Sequence, residues 1–292
     1  MDIKKSLSGI QKNISLRDFT TFKIGGRAKY FFIAKTKENL LSAVLTAKKF
    51  RLPFFILGGG SNVLISDKGY AGLVIKIKNQ DLKIEKSEIN AEAGVPLGQL
   101  LTSAAGSSLT GLEWVVGIPG TVGGAVYGNA GGFGKSMKDT IKEVEVLDLK
   151  DLKIERYGLK DCKFSYRESI FKKNKNLIII SVIFKLRKLA KSKIGKKIKE
   201  YSDYRKEHQP LNLPSAGSVF KNPPGFSAGA LIEKCGLKGK KIGDVKISEK
   251  HANFIVNLGN GRSKDVKKLI SLAKTKVKDK FKINLEEEIQ YL

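Results

Sequence analysis

Two cysteines, two histidines and a single tryptophan stand among 292 residues. Cys162 and Cys235 are too few and too far apart for a disulfide framework or a zinc site with paired ligands. His208 and His251 are too few for a histidine-rich metal centre, and no metal is expected. Acidic residues are scarce as well: 28 Asp+Glu face 55 Lys+Arg, a formal charge of +27. Long apolar runs are missing. The best, residues 177–184, is short and β-branched, which predicts a buried strand and falls well below the roughly 18 apolar residues of a membrane span. The N-terminal MDIKKSLSGIQKNISL lacks the apolar core of a secretory signal. These absences predict a soluble, cytoplasmic chain with no membrane partner.

The positive excess points first to an anionic partner such as nucleic acid. Arginine, the bidentate reader of phosphates and base edges, is nevertheless rare, with 8 against 47 lysines. The lysines are scattered along the chain among Ile and Asn, so a basic solvated surface is the expectation and nucleic acid is not. A basic nucleic-acid-binding protein without catalysis stays open as an alternative. It would cluster Arg and aromatic residues on one face, whereas the aromatics here sit within apolar runs.

What is present describes a globular protein. Hydrophobic residues make up 41%, and the length predicts two domains, or two and a small third. Strand and helix alternate at first. Lys29–Ala34 reads as a strand, and Lys37–Phe50 as a helix with Leu40, Leu41, Val44, Leu45 and Ala47 on one face. Phe54–Leu57 is a buried strand after Pro53. Further strands are predicted at Gly72–Ile77, around Ile84 and at Ile89–Ala93, and a helix at Pro96–Ala105 with proline in its first turn. Glu143–Asp148, Lys153–Tyr157 and Leu177–Leu186 are strands, and Lys188–Lys199 reads as a linker or an exposed helix start. The remainder is a smaller α/β unit. Its helices are predicted near Ser227–Cys235 and Ser263–Lys280, and its strands near Ser218–Phe220, Asn253–Asn257 and Glu288–Leu292.

Glycine carries the chemical signal. Gly58-Gly59-Gly60-Ser61-Asn62 follows a predicted strand, where missing Cβ atoms free backbone N–H groups to curl around an anion. A tight turn explains this pentapeptide equally well. It is neither a P-loop nor a dinucleotide fingerprint opening a long helix. A second cluster places nine glycines between Gly111 and Gly134, interleaved with Leu, Val, Trp and Ile. It suits a wall against a large flat ligand bearing a pyrophosphate, with a packed glycine-rich loop as the bland alternative.

With these segments on view, the chain resembles the UDP-N-acetylenolpyruvoylglucosamine reductase family, the flavoenzymes that complete UDP-N-acetylmuramate (UDP-N-acetylmuramate dehydrogenase). The matching pieces begin with residues 20–26 (TTFKIGG), 57–62 (LGGGSN), 117–125 (GIPGTVGGA) and 129–131 (NAG). Residues 166–169 (YRES), 214–223 (PSAGSVFKNP), 251–257 (HANFIVN) and 285–289 (LEEEI) follow in the family's order, nearly to the last residue. The first glycine loop alone is shared with the wider class of FAD-linked oxidases. Those oxidases usually carry a covalent-flavin His or Cys in the glycine loops, and this chain has neither before Cys162.

The resemblance implies an α+β fold: a two-lobed FAD-binding region of the PCMH/vanillyl-alcohol-oxidase type and a C-terminal α/β substrate-binding domain. The expected divisions are 1–75, 76–190 and 191–292. It implies FAD and NADPH as cofactors, NADPH leaving before the enolpyruvyl UDP-sugar enters, and a monomer of the shorter type that lacks an extra substrate-covering loop. FAD would be held by Leu57, Gly58, Gly59, Gly60, Ser61 and Asn62, and by Gly117, Ile118, Pro119, Gly120 and Thr121. Gly123, Gly124, Ala125, Asn129 and Gly131 complete that set. Arg167, Ser218 and Glu288 match the family's catalytic positions, and Tyr166, Lys221 and Asn222 would meet the substrate. Reduction of an enolpyruvyl ether leaves enolate charge that needs a cation and an acid, then a proton on the adjacent carbon. Arg167 is the natural cation, Ser218 matches the proton donor, Lys221 is a candidate to assist it, and Glu288 matches the glutamate that assists the enolate. The family commonly shows Leu-Glu-Pro-Glu-Val-Arg at the C-terminal motif, where this chain has Glu287 for proline and Gln290 for arginine. Residues 259–265 (GNGRSKD) also depart from the family and leave Arg262 without a role. His251 reads as structural or as a support behind the site, and Cys162 as a small buried residue and not a nucleophile, because no His lies near it in sequence.

Overall fold

The computed structural model describes residues 3–292, which fall into two compact units. One unit takes the chain up to Gly9, then Phe32–Gly59 and Ile75–Tyr204; the other takes Ile10–Phe31, Gly60–Val74 and Arg205–Leu292. The strands Arg27–Ala34 and Tyr70–Ile77 each pass from one unit into the other. Segments remote in sequence therefore share a core, which a linear division of the chain does not anticipate. Among the described residues, no helix is long and apolar enough to cross a membrane.

In the first unit, Lys37–Lys49 is helical because Thr36 caps it: the Thr36 hydroxyl accepts the Asn39 amide at 3.2 Å. Leu40, Ala43, Val44 and Ala47 recur at helical spacing and are buried. The expected face included Leu45, which is instead 42% exposed; Ala43 takes its place inward. Pro96 stands at the N-cap of Leu97–Gly106, one position before the expected first turn. Five antiparallel strands form the main sheet, in the order Lys153–Gly158, Ile141–Asp148, Leu177–Lys185, Glu88–Glu92, Leu82–Glu85. Its centre, Leu177–Lys185, is almost wholly buried, as a central strand covered on both faces must be. The region read as a linker or an exposed helix start is the eighteen-residue helix Lys191–His208, anchored by buried Ile194. The glycine-rich stretch contains a six-residue helix, Val122–Tyr127, despite its two glycines.

In the second unit, Gln11–Ser15 forms an antiparallel hairpin with the start of Arg27–Ala34, Ile14 facing Ala28. This strand has one apolar residue in five and leaves no alternation to read. A four-stranded antiparallel sheet runs Ser215–Ser218, Phe254–Asn257, Val245–Ile247, Lys241–Ile242. The strand expected at Ser218–Phe220 lies three residues earlier. Gly217, at φ +75°, interrupts the ladder, and Phe220 pairs instead with Glu287. The terminal strand shortens to Gln290–Tyr291, parallel to Val63–Leu64. Helix Ser263–Phe281 covers the core with Val266, Leu269, Ile270, Ala273 and Val277. Its first amides, Ser263 and Lys264, donate to the Asp67 carboxylate at 2.8 and 3.1 Å. Burial alone would raise the Asp67 carboxyl; those amides outweigh it and hold it below its ordinary value.

Buried Asn253 clamps the Phe220 backbone from both sides, accepting its amide at 2.9 Å and donating to its carbonyl at 2.8 Å. Asn253→Ala leaves two buried backbone groups unpaired and is expected to destabilise the protein by roughly 2–4 kcal/mol. A thermal or urea unfolding curve within experimental error of wild type would contradict that.

Candidate functional site

In the first unit, strand Phe54–Leu57 delivers buried Leu57 into Gly58 and Gly59, which lie against the second glycine loop. A Cβ on Gly59 would stand 2.5 Å from the Gly120 Cα, and one on Gly58 would stand 2.8 Å from the Thr121 Oγ1. The two loops meet at backbone distance because side chains are missing there. The second loop is fastened from behind: the Val122 and Gly123 amides donate to Val95 and Ala93, each at 2.9 Å, and the Ile118 amide donates to Val115 at 2.9 Å. Gly117, Pro119 and Gly124 are exposed, while Ala125 is buried beneath them. The Thr121 Oγ1 is buried with no hydrogen-bond partner among the described residues. A buried hydroxyl left this way costs free energy unless a bound group satisfies it.

The same loop holds the Tyr-Arg turn. Asn129 is consumed as a brace: its Nδ2 donates to the Ser165 carbonyl at 2.7 Å and its Oδ1 accepts the Lys138 amide at 3.2 Å. Arg167 donates from Nη2 to the Gly131 carbonyl at 3.0 Å, and its guanidinium lies 5.4 Å from the ring of exposed Tyr166. Arg167 itself adopts φ +57°, the left-handed region that a side chain seldom occupies. The turn is over-determined from both ends. Ser169 Oγ donates to the Tyr127 carbonyl at 2.7 Å, and Lys172 Nζ donates to the Arg167 carbonyl at 3.1 Å. Backbone strain maintained by so many contacts orients a side chain. Cys162, read as inert, is fully buried, and burial followed by the Asp161 charge pushes its thiol up to about 12.

Two groups that act on this region were not singled out from sequence. Phe133, at φ +53° beside Gly131, stacks on Tyr201 with ring centroids 4.1 Å apart. Lys76 donates its Nζ to the Gly58 carbonyl. The signal for Lys76 was a lysine inside the strand run Leu73-Val74-Ile75-Lys76-Ile77, where every neighbour is buried.

In the second unit, the C-terminal segment lies along the 219–221 backbone. The Glu288 amide donates to the Val219 carbonyl and the Lys221 amide to the Glu286 carbonyl, both at 2.8 Å. Ser218, part-buried, immediately precedes this pairing at the end of its strand. Asn62 Nδ2 donates to the Glu288 carbonyl at 3.1 Å, and the Gln290 amide donates to the Asn62 carbonyl at 2.9 Å. Asn62 Oδ1 is buried without a hydrogen-bond partner among the described residues. Gly60, at φ +67°, is packed against the Phe19 carbonyl, and its own carbonyl accepts the Thr21 amide at 3.2 Å. Asn62, Ser218, Lys221 and Glu288 are thus gathered along the C-terminal segment within one unit, and Gly60 and Ser61 lead into Asn62.

The three consecutive glutamates separate by partner. Glu286 pairs with buried Lys221. Glu287 pairs with Lys274 at 2.8 Å and accepts from the Tyr291 hydroxyl; burial would raise its carboxyl, and these two contacts bring it below its ordinary value. Glu288 remains half-buried beside Asn62. Gln290, where the family carries arginine, donates from Nε2 to the Glu288 carbonyl at 3.2 Å. Asn222 uses Oδ1 to accept the Ala228 amide at 3.0 Å, at the start of a helix. Burial lowers the titration of His251, whose Nδ1 accepts the Asn253 amide at 3.2 Å, in keeping with a structural role.

Comparison with known proteins converges on one family. A profile described as FAD binding domain matches residues 28–157, and one described as UDP-N-acetylenolpyruvoylglucosamine reductase, C-terminal domain, matches residues 209–292. The chain is 46% identical to the UDP-N-acetylenolpyruvoylglucosamine reductase of Caldicellulosiruptor bescii over 98% of its own length and 92% of that protein's. It is 45% identical to that of Caldicellulosiruptor saccharolyticus, covering 96% and 91%. The crystal structure of the same-named reductase from Thermus caldophilus superposes with a TM-score of 0.83 at 36% identity, covering 97% of this chain and 99% of that one.

Gly59→Ala forces a Cβ onto the Gly120 backbone and is expected to cost about 1–3 kcal/mol of stability through overpacking. The check is a thermal unfolding scan with Gly98→Ala as control, because residue 98 has open space around it. Equal midpoints for the two variants would show that the loops do not depend on this contact.

Proposed function

This chain belongs to the UDP-N-acetylenolpyruvoylglucosamine reductase family, and we propose that NADPH is its reductant and UDP-N-acetylglucosamine-enolpyruvate its substrate. It is an FAD-binding oxidoreductase of peptidoglycan precursor synthesis. The residues present fit FAD: among the described residues, the buried Thr121 hydroxyl of the first unit has no hydrogen-bond partner. Residues 58–62 and 117–125 also contain no carboxylate to repel a diphosphate. In this reading residues 1–75 and 76–190 serve FAD, and 191–292 serve the UDP-sugar.

FAD, when bound, supplies the hydride, after reduction by NADPH. The protein handles the charge and the proton. Arg167, permanently cationic, stabilises the enolate that develops on the enolpyruvyl carboxylate. Its anchorage on the Gly131 carbonyl and the strained backbone beneath it support an arrangement set before substrate arrives. Ser218 donates the proton to the adjacent carbon. Glu288 assists the enolate, Tyr166 and Asn222 meet the sugar nucleotide, and Lys221, already tied to Glu286, adds positive charge near the serine's turn. The observation that most supports this assignment is the Glu288–Val219 backbone pairing, one residue from Ser218. It ties the acid and the glutamate to a shared piece of backbone and gives Glu286 and Glu287 other partners.

The test is spectroscopic. The purified protein should be yellow, be bleached anaerobically by NADPH, and be reoxidised by the enolpyruvyl UDP-sugar without oxygen. A colourless protein that cannot be loaded with FAD would overturn the reading. Ser218→Ala should leave flavin reduction by NADPH near normal and slow reoxidation by the sugar by about 10²–10⁴-fold, the usual worth of a positioned acid. Equal losses in both half-reactions would remove Ser218 from that role.

A further inference from the structure

Lys76 is an ionisable side chain inside the first unit with no part in the chemistry above. It occupies the strand Tyr70–Ile77, flanked by fully or nearly fully buried Ile75 and Ile77, and shares its face of the strand with buried Val74. Its Nζ donates to the carbonyl of Gly58. An ammonium in such a place loses solvation, so a compensating contact is expected, and this carbonyl provides one.

The consequence lies in the next peptide group. Across a trans peptide the carbonyl of one residue and the N–H of the next point in opposite directions. Residues 58 and 59 are both glycine, so nothing local prevents their shared peptide plane from flipping. Holding the Gly58 oxygen toward Lys76 turns the Gly59 N–H to the other side. The positive charge behind the carbonyl also polarises the group and strengthens that N–H as a donor. Gly59 abuts Gly120, and Gly58 lies opposite the unsatisfied hydroxyl of Thr121.

We infer that Lys76 is a positioning residue for FAD, fixing the Gly58–Gly59 peptide so that the Gly59 N–H is presented to the cofactor's diphosphate. This rests on the assignment of the glycine loops to FAD. Burial, and secondarily the charge of Lys78 just beyond the strand, lower the Lys76 amine to about 8. The loops 58–62 and 117–125 and the flanking stretches 54–57 and 32–34 carry no titratable group. The linkage has a definite sign. A bound diphosphate favours the charged amine, so FAD affinity is highest where Lys76 is protonated and falls as pH rises through about 8.

FAD binding to apoprotein, followed by quenching of flavin fluorescence, tests this in wild type, Lys76→Met and Lys76→Arg. Lys76→Met is expected to raise Kd by about tenfold or more, the worth of one charge-assisted hydrogen bond. Its apoprotein should unfold at or above the wild-type midpoint, because a buried charge has been removed. Lys76→Arg should recover most of the affinity and lose the pH dependence, because its guanidinium stays charged. In wild type, Kd should rise above about pH 8. Three results would overturn the inference: a Met variant with wild-type Kd, a folded Arg variant binding no better than Met, or a wild-type Kd flat between about pH 7 and about pH 10. A wild-type apoprotein that never quenches flavin fluorescence would instead remove the FAD assignment itself.

Discussion

Backbone meeting backbone at Gly59 and Gly120 is the constraint on which the first unit's site depends. A methyl group at residue 59 would sit 2.5 Å from the Gly120 Cα, well inside any tolerable contact. Everything fastened to the second loop inherits this closeness. The Val122 and Gly123 amides hang it from residues 95 and 93, and Asn129 and the Gly131 carbonyl carry the turn that presents Arg167. The glycines therefore do two things that look like one in sequence. Some permit close approach between loops. Others, such as Gly117 and Gly124, remain exposed on the surface of the second loop. The reading of these clusters as packed turns describes Gly58 and Gly59, while the exposed glycines are the ones left available to the proposed cofactor.

The second unit works by register. Its C-terminal segment contributes little strand, only Gln290–Tyr291, yet amide–carbonyl pairs at 288–219 and 221–286 fix which glutamate faces which neighbour. A shift by one residue would exchange the environments of Glu287 and Glu288, because successive side chains in an extended segment point to opposite sides. Asn62 donates to the Glu288 carbonyl and accepts the Gln290 amide, and these two contacts from another segment oppose such a slip. The departures at 287 and 290 from the family's usual residues thus have structural partners of their own. Glu287 finds Lys274 and Tyr291, and Gln290 donates to the carbonyl of Glu288, two residues earlier.

Much of this was legible from sequence where a period was strong. Lys37–Lys49, Leu177–Lys185 and Ser263–Phe281 were read nearly to their ends, because apolar spacing and length pointed the same way. The resemblance singled out Arg167, Ser218 and Glu288 as candidates through residues 166–169, 214–223 and 285–289, with the register of Glu288 among three consecutive glutamates left open. Other features had no local signal. Gln11–Ser15 becomes a strand through pairing with residues 27–31, not through its own alternation. The grouping of 10–31 and 60–74 with 205–292 arises from contacts across the chain and leaves no trace in composition. The strand placed at Ser218–Phe220 failed for a local reason. Gly217 shifts the register of the ladder between Ser215 and Ser218, and a distant segment pairs with Phe220 beyond it.

The large positive charge finally divides into kinds that composition cannot separate. Exposed pairs such as Lys199–Asp203 contribute little, because water screens them and ordering two flexible side chains offsets the attraction. They explain solubility more than function. Lys221 and Lys76 are different. The first is buried and paired with exposed Glu286 at the edge of the Ser218 turn, and the second is held against the Gly58 carbonyl in a strand of buried neighbours. A charge withdrawn from water acts over a shorter list of partners and with less screening. Under the proposed function these two lysines out of 47 bear on anion recognition, while exposed pairs such as Lys199–Asp203 do not. What distinguishes them is position within a strand or turn, not abundance. For that reason a count of +27 pointed toward anionic ligands without indicating which residues would meet them.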